Sequence, residues 1–212
     1  MRKGSLVIFL LVMLFSSVTY TQVVREYGAK IGLASSTQSW QWPPWTGIST
    51  SVASRQSIDA GVFAEWLDIP VFSLLTEVHY VQKGSVGTSN VPPAFTQFSH
   101  TTNQYNTYSL WIDYLSVPVL AKFRWGLAPL SPYLILGPRF DVYLASTGTF
   151  LDHNFKAVDL GGTFGFGLEP SLQLPFHVAA EYRYSPTFRD SYSVTPLTLR
   201  NRSMEFLLVV AF

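Results

Sequence analysis

The sequence predicts an all-β protein, an eight-stranded antiparallel up-and-down transmembrane β-barrel. Eight segments alternate apolar with polar residues, and the connections between them are short and long in turn. Charged residues make up 13% of the chain and aromatic residues 16%. A soluble domain is about 25% charged, because its exterior must be polar. The low charge therefore predicts an exterior that faces lipid.

The N-terminal segment has the pattern of a secretory signal peptide. Arg2 and Lys3 precede the apolar stretch 6–15, and small and polar residues follow. The apolar stretch is shorter than the roughly 20 residues that a spanning helix needs. We therefore predict a signal peptide over residues 1–21 and one barrel domain over residues 22–212. The absence of cysteine excludes a disulfide-stapled fold.

The first four strands are predicted at residues 25–35, 56–66, 71–83 and 108–125, where apolar residues recur at every second position. Pro118 removes a backbone donor from the fourth strand, which predicts a bulge or local distortion there. The predicted outward positions are Tyr27, Ala29, Ile31 and Leu33, then Ile58, Ala60, Val62, Ala64 and Trp66, then Phe72, Leu74, Thr76, Val78 and Tyr80, then Leu115, Val117, Val119, Ala121, Phe123 and Trp125.

The last four strands are predicted at residues 134–144, 158–169, 176–184 and 201–212 by the same alternation. The final segment has one wholly apolar face that ends at Phe212. Its length matches the roughly 9 to 11 tilted residues that cross a bilayer. We expect this strand to pair with residues 25–35 and close the barrel, since closure alone removes sheet edges in lipid. As in the outer-membrane barrels that the chain resembles, Phe212 is predicted to be an insertion signal.

The connections predict the orientation of the barrel. Tight turns are expected near residues 68–70, 126–132 and 170–175, and long loops over residues 37–54, 84–106, 146–154 and 186–200. In bacterial outer-membrane barrels the periplasmic turns are short and the extracellular loops are longer. The sequence thus predicts a bacterial outer-membrane location with both termini periplasmic.

A soluble lipocalin-like barrel would also show eight alternating strands, but with its apolar face inside. Aromatic residues near the strand ends of the apolar face, such as Trp66, Trp125 and Phe212, instead predict the interface girdles of a membrane barrel. An eight-stranded interior is only wide enough for its own side chains. The residues predicted to fill it as a paired polar network are Lys30, Glu65, Glu77, His79, Lys122, Arg139, Asp141, Glu181, Arg183 and Glu205.

Several segments in order are similar to the PorT-like outer-membrane β-barrel family of Bacteroidetes. These segments are residues 75–84, 114–122, 133–139, 159–169 and 181–184. The resemblance covers essentially the whole mature chain and implies an eight-stranded barrel in the outer membrane. Most members of that family have no assigned biochemical role, and the namesake is an accessory of a secretion system. The resemblance implies architecture and location only.

The chain shows no pattern typical of an enzyme, cofactor site or metal site. Its four histidines are two on predicted strands, His79 and His177, and two in loops, His100 and His153. We expect the strand histidines to belong to the interior network. The glycines of residues 161–167 lie inside a strand with no helix after them, so they predict room for bulky lumen neighbours and not a phosphate loop.

Trp40, Trp42 and Trp45 flank a Pro-Pro pair in the first loop, where they either form a recognition surface or pack on the barrel rim. The leading functional hypothesis is a non-enzymatic barrel whose loops or outer wall dock a partner in an envelope or secretion assembly. A narrow transport channel and a lipid-modifying barrel enzyme are the alternatives. The expected partners are outer-membrane lipid, the barrel-insertion machinery and other envelope proteins. The net charge of +1 predicts no nucleic-acid partner.

Overall fold

The computed structural model describes residues 24–46, 50–67, 69–89, 106–147, 155–194 and 197–212. The predicted signal peptide, His100 and His153 lie outside these residues. The strands are β1 (Val24–Gln41), β2 (Thr50–Trp66), β3 (Phe72–Ser89), β4 (Asn106–Arg124), β5 (Leu130–Thr147), β6 (Val158–Pro170), β7 (His177–Pro186), β8 (Tyr192–Val194) and β9 (Leu197–Ala211), and a 3₁₀ turn spans Pro44–Thr46.

The strands form one closed antiparallel ring. Each strand from β1 to β6 pairs with the next along the chain, β7 pairs with β9, and β9 returns to β1. The closing seam is long, running from Gly28↔Ala211 to Gln41↔Thr198. β8 is a short strand that pairs with the outer end of β9, beyond the end of β7, so β7 and β8 together form one of the eight strands around the described wall. The predicted eight-stranded antiparallel barrel is confirmed.

Alternation of side chains decides which face of each strand meets lipid. On β9, Glu205 is 4% exposed and Leu207 is buried, whereas Phe206 and Leu208 between and beside them are 59% and 52% exposed. Over most of the other strands, large apolar side chains are likewise exposed on the outward face and polar ones are buried on the inward face. An exposed apolar wall of this extent is stable only in lipid. Within the described ranges, no helix has the length and apolar character needed to cross a membrane.

The strands run further toward the long-loop end than the sequence predicts. β1 continues to Gln41 and β2 begins at Thr50, so the predicted loop over residues 37–54 is too long and Trp40 lies in a strand. The pattern is lost here because both faces are polar beyond the apolar band. Backbone pairing nevertheless continues, for example in Trp40↔Leu199.

The predicted final loop over residues 186–200 is also wrong. β8 continues the wall beyond β7, where Tyr192 pairs with Leu199 on one side and forms a bridge to Phe155 on the other. Only residues 195–196 separate β8 from β9. An irregular stretch of residues 187–191 between β7 and β8 conceals the continuity in the sequence.

Pro118 does not shift the register of β4. The pairs Thr76↔Val119 and His79↔Ser116 lie in one unbroken register with β3, and Pro118 itself pairs with Arg139 of β5. The register shift between β4 and β5 occurs instead between Asp113 and Tyr114. A bulge at Pro118 is therefore wrong, but the alternative of a local distortion agrees with the ladder, which has no β3 pair at Val117 or Pro118 and resumes in the same register.

The lipid-facing assignment predicts the effect of a charge on the outer wall. Val62 is 59% exposed on the outward face of β2. Val62→Arg should lower the free energy of unfolding by about 2–4 kcal/mol, because an arginine is placed against the hydrocarbon. Denaturant unfolding of the barrel in lipid vesicles, followed by tryptophan fluorescence, measures this change.

Gln56→Arg is the matched control, because Gln56 lies on β2 beyond the apolar residues and is also exposed. We expect a change of only about 0–1 kcal/mol there. Equal losses in the two variants would contradict a lipid-facing wall around Val62.

Candidate functional site

The alternation that exposes one face to lipid directs the other face of every strand into one narrow lumen. All ten residues that the sequence places in the interior are buried. They lie on seven strands, β1, β2, β3, β4, β5, β7 and the closing strand β9. The closed ring thus brings together side chains that are far apart in the sequence, and they form three clusters along the lumen.

The central cluster is built around Glu77 of β3. Lys30 of β1 donates to it at 2.8 Å, and Arg183 of β7 donates through both terminal nitrogens, at 2.7 and 2.8 Å. Glu181 accepts from Lys30 at 3.1 Å and from the Nε of Arg183. Bidentate arginine–carboxylate pairs of this kind are strong and fix geometry. The cluster therefore connects three strands across the lumen.

His79 completes the central cluster. Its Nδ1 lies 2.6 Å from Asp59 and its Nε2 lies 3.0 Å from Glu77. Because ionised carboxylates only accept hydrogen bonds, donation on both sides requires the doubly protonated imidazolium. Gly61 leaves room for the ring, since an added Cβ would be 2.5 Å from its Cγ. The positive charges Lys30, His79 and Arg183 then balance the negative charges Asp59, Glu77 and Glu181.

The outer cluster lies nearer the long-loop end. Lys83 contacts Asp141 at 2.6 Å, and Arg139 contacts Asp141 at 3.1 Å and Glu205 at 3.4 Å. Asp159 faces Asp141 across the β5/β6 ladder. It accepts a hydrogen bond of 3.2 Å from the hydroxyl of Tyr114. The acidic groups of this cluster are thus held by two cations and by hydroxyl donors.

The inner cluster lies at the short-turn end. Glu65 accepts from Lys122 at 2.8 Å and from Arg124 at 3.0 Å, and Arg25 approaches it at 3.7 Å. The remaining members are Glu26 and Glu169. These three carboxylates and three cations again balance in charge.

His177 lies at the rim and is not a member of the interior network, contrary to the expectation from sequence. It is the first residue of β7, its side chain is 55% exposed, and it contacts Glu26 at 3.1 Å. A residue at an inward-facing position of a strand is not buried when it lies at the end of the strand, because the neighbouring strands no longer cover it there.

Sequence reasoning omitted several members of the network. Asp59, Lys83, Arg124 and Asp159 are all buried and hydrogen-bonded or paired inside the lumen. Each occupies an inward position in the alternation of its strand. Counting alternate positions along each strand would have identified these four residues as inward-facing. The partner of each charge, however, depends on the strand pairing, which a single sequence does not reveal.

Apolar layers close the lumen on both sides of the central cluster. The inner layer consists of Phe63, Leu75, Leu120, Tyr133, Ile135, Ala179, Val209 and Ala211. The outer layer consists of Ala34, Val81, Leu110, Ile112, Tyr114, Tyr192, Leu197 and Leu199. A cavity of about 10 Å³ lies beside the inner layer, with room for about one water molecule. The described lumen is therefore filled by side chains.

Gly167 illustrates how the glycines of β6 permit this filling. An added Cβ would lie 2.1 Å from the ring of Tyr133, which donates to Glu181 at 2.9 Å. Tyr133 belongs to the adjacent strand and pairs with Gly167. The glycine makes room for a neighbour in the wall, whereas the sequence predicted neighbours across the lumen.

The three tryptophans of the first connection differ in their environment. Trp40 and Trp42 are partly buried and pack against the outer apolar layer. Trp45, in the 3₁₀ turn after the Pro-Pro pair, is 78% exposed. Trp40 and Trp42 thus pack on the barrel rim, as one of the two alternatives predicts, whereas Trp45 is exposed.

Metal chemistry has no support in the part of the chain that the structure describes. No group of three or more His, Cys, Asp or Glu side chains there is arranged to hold a metal ion. Most carboxylates inside the lumen contact Lys, Arg or His instead, and Asp159 accepts from the hydroxyl of Tyr114.

The family of the chain follows from its sequence profile together with this closed ring. The model of the outer membrane protein beta-barrel domain family matches residues 21–193. The chain belongs to this family. It is accordingly an outer-membrane barrel, whereas the narrower PorT-like membership stays a prediction. No curated protein sequence matches the chain.

Solved outer-membrane barrels have a similar fold at low sequence identity. The attachment invasion locus protein Ail of Yersinia pestis is 12% identical, with a TM-score of 0.41 over 88% of this chain and 98% of that chain. Neisserial surface protein A is 14% identical, with a TM-score of 0.45 over 88% and 97%. The outer membrane protease OmpT from Escherichia coli is 9% identical, with a TM-score of 0.44 over 93% and 99%.

The central cluster predicts a large effect for the loss of one charge. Glu77→Gln should lower the free energy of unfolding by about 3–5 kcal/mol, because Arg183, Lys30 and His79 would lose a shared buried counter-charge. Urea unfolding in lipid vesicles measures the loss.

Glu169→Gln is the matched control at the rim. Its side chain is 18% exposed and lies 3.8 Å from Arg124. A partly solvated pair of this kind contributes about 0–1 kcal/mol. Similar stabilities for the two variants would show that the central cluster is not the main polar contribution to stability.

Proposed function

We propose that the protein is a non-enzymatic and non-conducting barrel that anchors a docking rim at the outer face of the outer membrane. Its short connections follow β2, β4 and β6, and residues 24 and 212 lie at the same end as these turns. By the usual asymmetry of outer-membrane barrels, that end is periplasmic and the end with the long connections is extracellular.

The filled lumen is the observation on which this proposal rests. A conducting pore needs a continuous polar path, whereas here apolar layers lie on both sides of the charged central cluster. The cations of that cluster are already bonded to carboxylates and are not available to a passing ion. The filled lumen therefore favours a role carried by the surfaces of the barrel over the alternative of a narrow channel.

The second alternative, a lipid-modifying enzyme, needs a histidine base beside a nucleophile on the lipid side. His79 faces the lumen, and both of its ring nitrogens lie against carboxylates. His177 lies near the periplasmic rim beside Glu26. Neither arrangement supports hydrolysis of a membrane lipid.

The first connection is the strongest candidate for the docking surface. Trp40 and Trp42 anchor it on the outer apolar layer, and two prolines stiffen the backbone before Trp45. A rigid exposed tryptophan offers a large contact area at a small entropy cost. The partner in this proposal is another envelope protein, in keeping with the resemblance to the PorT-like family and its link to secretion.

A photo-reactive amino acid placed at position 45 tests the docking rim in native outer membranes. We expect a defined protein adduct at position 45. The matched control is the same group at position 58, where Ile58 is 59% exposed on the lipid-facing wall and should label lipid. The absence of an adduct specific to position 45 would contradict the docking role.

Planar lipid bilayers test the filled lumen separately. The purified barrel should show no discrete current steps, because its described lumen leaves room for about one water molecule in the cavity near its inner end. Regular single-channel steps would overturn the non-conducting proposal and favour the channel.

We also retain Phe212 as the proposed insertion signal for the barrel-insertion machinery. Its ring is 62% exposed and lies 6.5 Å from Tyr27 and 6.3 Å from Phe176, and its backbone exchanges hydrogen bonds with Tyr27. Phe212→Ala should reduce the amount of folded barrel in the outer membrane while leaving the stability of the inserted barrel nearly unchanged.

Heat-modifiable gel migration of outer-membrane fractions measures insertion, and Phe176→Ala is the control for a neighbouring aromatic. If both substitutions reduced insertion equally, Phe212 would be one member of an aromatic girdle and not a specific signal.

A further inference from the structure

The outward wall changes from apolar to polar at one level on several strands. The change occurs after Leu33 on β1, after Ile58 toward Gln56 on β2, and between Leu115 and Asp113 on β4. On β9 it falls between Met204 and Arg202, which face outward in succession. These positions mark the boundary between hydrocarbon and headgroups at the extracellular side.

The boundary is basic along β9 and its neighbours. Arg200 and Arg202 are exposed on β9, and Arg189 is exposed on the adjoining stretch after β7. Lys156 is also exposed, and its backbone nitrogen donates to Ser191 of that stretch at 3.0 Å. Asp190 contacts Arg200 at 2.6 Å. Within the described residues, Arg189 and Arg202 have no ion-pair partner. The residues that flank Arg202 in the ladder are the uncharged Thr37 and Pro186.

A local irregularity of the wall holds Arg189 in this position. Thr187 is fixed to Asn201 by its backbone nitrogen at 3.0 Å and its hydroxyl at 2.6 Å, and Ser191 is fixed to Leu199 at 2.8 Å. Residues 188–190 therefore bulge outward between two anchored points. Bulges of this kind re-aim side chains.

Phe188 supports the bulge on its lipid side. Its backbone nitrogen donates to Leu160 at 2.8 Å, and its ring covers Gly162, where an added Cβ would lie 2.8 Å from the ring. The ring is 61% exposed. The bulge thus presents an apolar surface toward the bilayer next to the arginines.

We propose that Arg189 and Arg202, with Arg200 and Lys156 beside them, bind the phosphate of a phosphorylated outer-leaflet lipid. The acyl chains would lie along the exposed apolar side chains directly below, Met204 and Phe206 on β9 and Tyr184 on β7. Arginine pairs with phosphate in a bidentate manner, and the pairing is strengthened where the hydrocarbon lowers the local dielectric constant.

The arrangement favours a lipid over a soluble anion or a polysaccharide. The arginines border the apolar band directly, so a ligand that contacts them is placed against hydrocarbon on its other side. Arg55, the other basic side chain at this end of β2, differs because it already stacks on Trp111 at 3.1 Å and donates to Ser109 at 2.8 Å. The unpaired positive charge is therefore concentrated on the β7–β9 side of the barrel.

Native mass spectrometry of the full barrel tests the site. The protein is released from detergent micelles doped with monophosphorylated lipid A, or with the same lipid A after removal of its phosphate. We expect the protein to retain the phosphorylated lipid and not the dephosphorylated one. Arg189→Gln combined with Arg202→Gln should weaken retention roughly tenfold or more, since each basic residue contributes about a fivefold gain at an anionic surface.

Two further variants test the mechanism. Arg189→Lys combined with Arg202→Lys keeps the charge and should restore most of the retention. Asp190→Asn should increase retention, because it removes the acidic neighbour and releases Arg200. Heat-modifiable gel migration shows that each variant is folded. Equal retention of both lipids, no retention by the unmodified protein, or no loss in the double glutamine variant would overturn the proposal.

Discussion

A narrow lumen that admits almost no water requires a counter-charge or a hydrogen-bond donor for every buried acidic group, and most of this structure follows from that requirement. An isolated buried charge costs several kcal/mol, which is a large fraction of the stability of a typical protein. Lys30, Glu77 and Arg183 satisfy it by contacts between strands that are not neighbours in the wall. The ion pairs therefore act as cross-braces, whereas the backbone ladder connects only adjacent strands.

The apolar layers and the central charged cluster fill the lumen between the two surfaces of the membrane. The central cluster lies between apolar layers, and the glycines of β6 and β2 allow bulky rings such as Tyr133 and His79 to fill the remaining space. In the proposed non-conducting barrel, the features available for function are the extracellular rim, the periplasmic rim and the lipid-facing wall. The exposed Trp45 and the arginines near β9 lie at the first of these surfaces and at its boundary with the lipid.

The sequence predicted the barrel because period-two alternation and the choice of face are local properties. The inward positions of Glu77, Arg139 and Glu205 follow from counting alternate residues, and so does Lys83, which was overlooked. The partners could not be predicted, because Lys30 and Glu181 lie on either side of β9 and meet only through the registers of its pairings with β1 and β7.

The outer ends of the strands were missed for a different reason. Beyond the membrane both faces of β1 and β2 are polar, so the alternation disappears while the hydrogen bonds continue. The irregular residues 187–191 likewise interrupted the pattern and hid β8. Trp45 was predicted to lie in a loop, but its exposure relative to Trp42 depends on packing against the outer layer, which only the structure shows.

The pairing of β1 with β9 also determines how the barrel must fold. Every other seam joins strands close in sequence, so hairpins can form one after another at a small entropic cost. The β1–β9 seam joins the two ends of the domain, and until it forms both strands expose unpaired backbone groups to lipid. The same step brings Lys30 to Glu181, 151 residues away. Closure of the wall and neutralisation of the buried charges are therefore a single cooperative event. A barrel in which β1 and β9 are unpaired, and Lys30 and Glu181 are apart, is not stable in the bilayer.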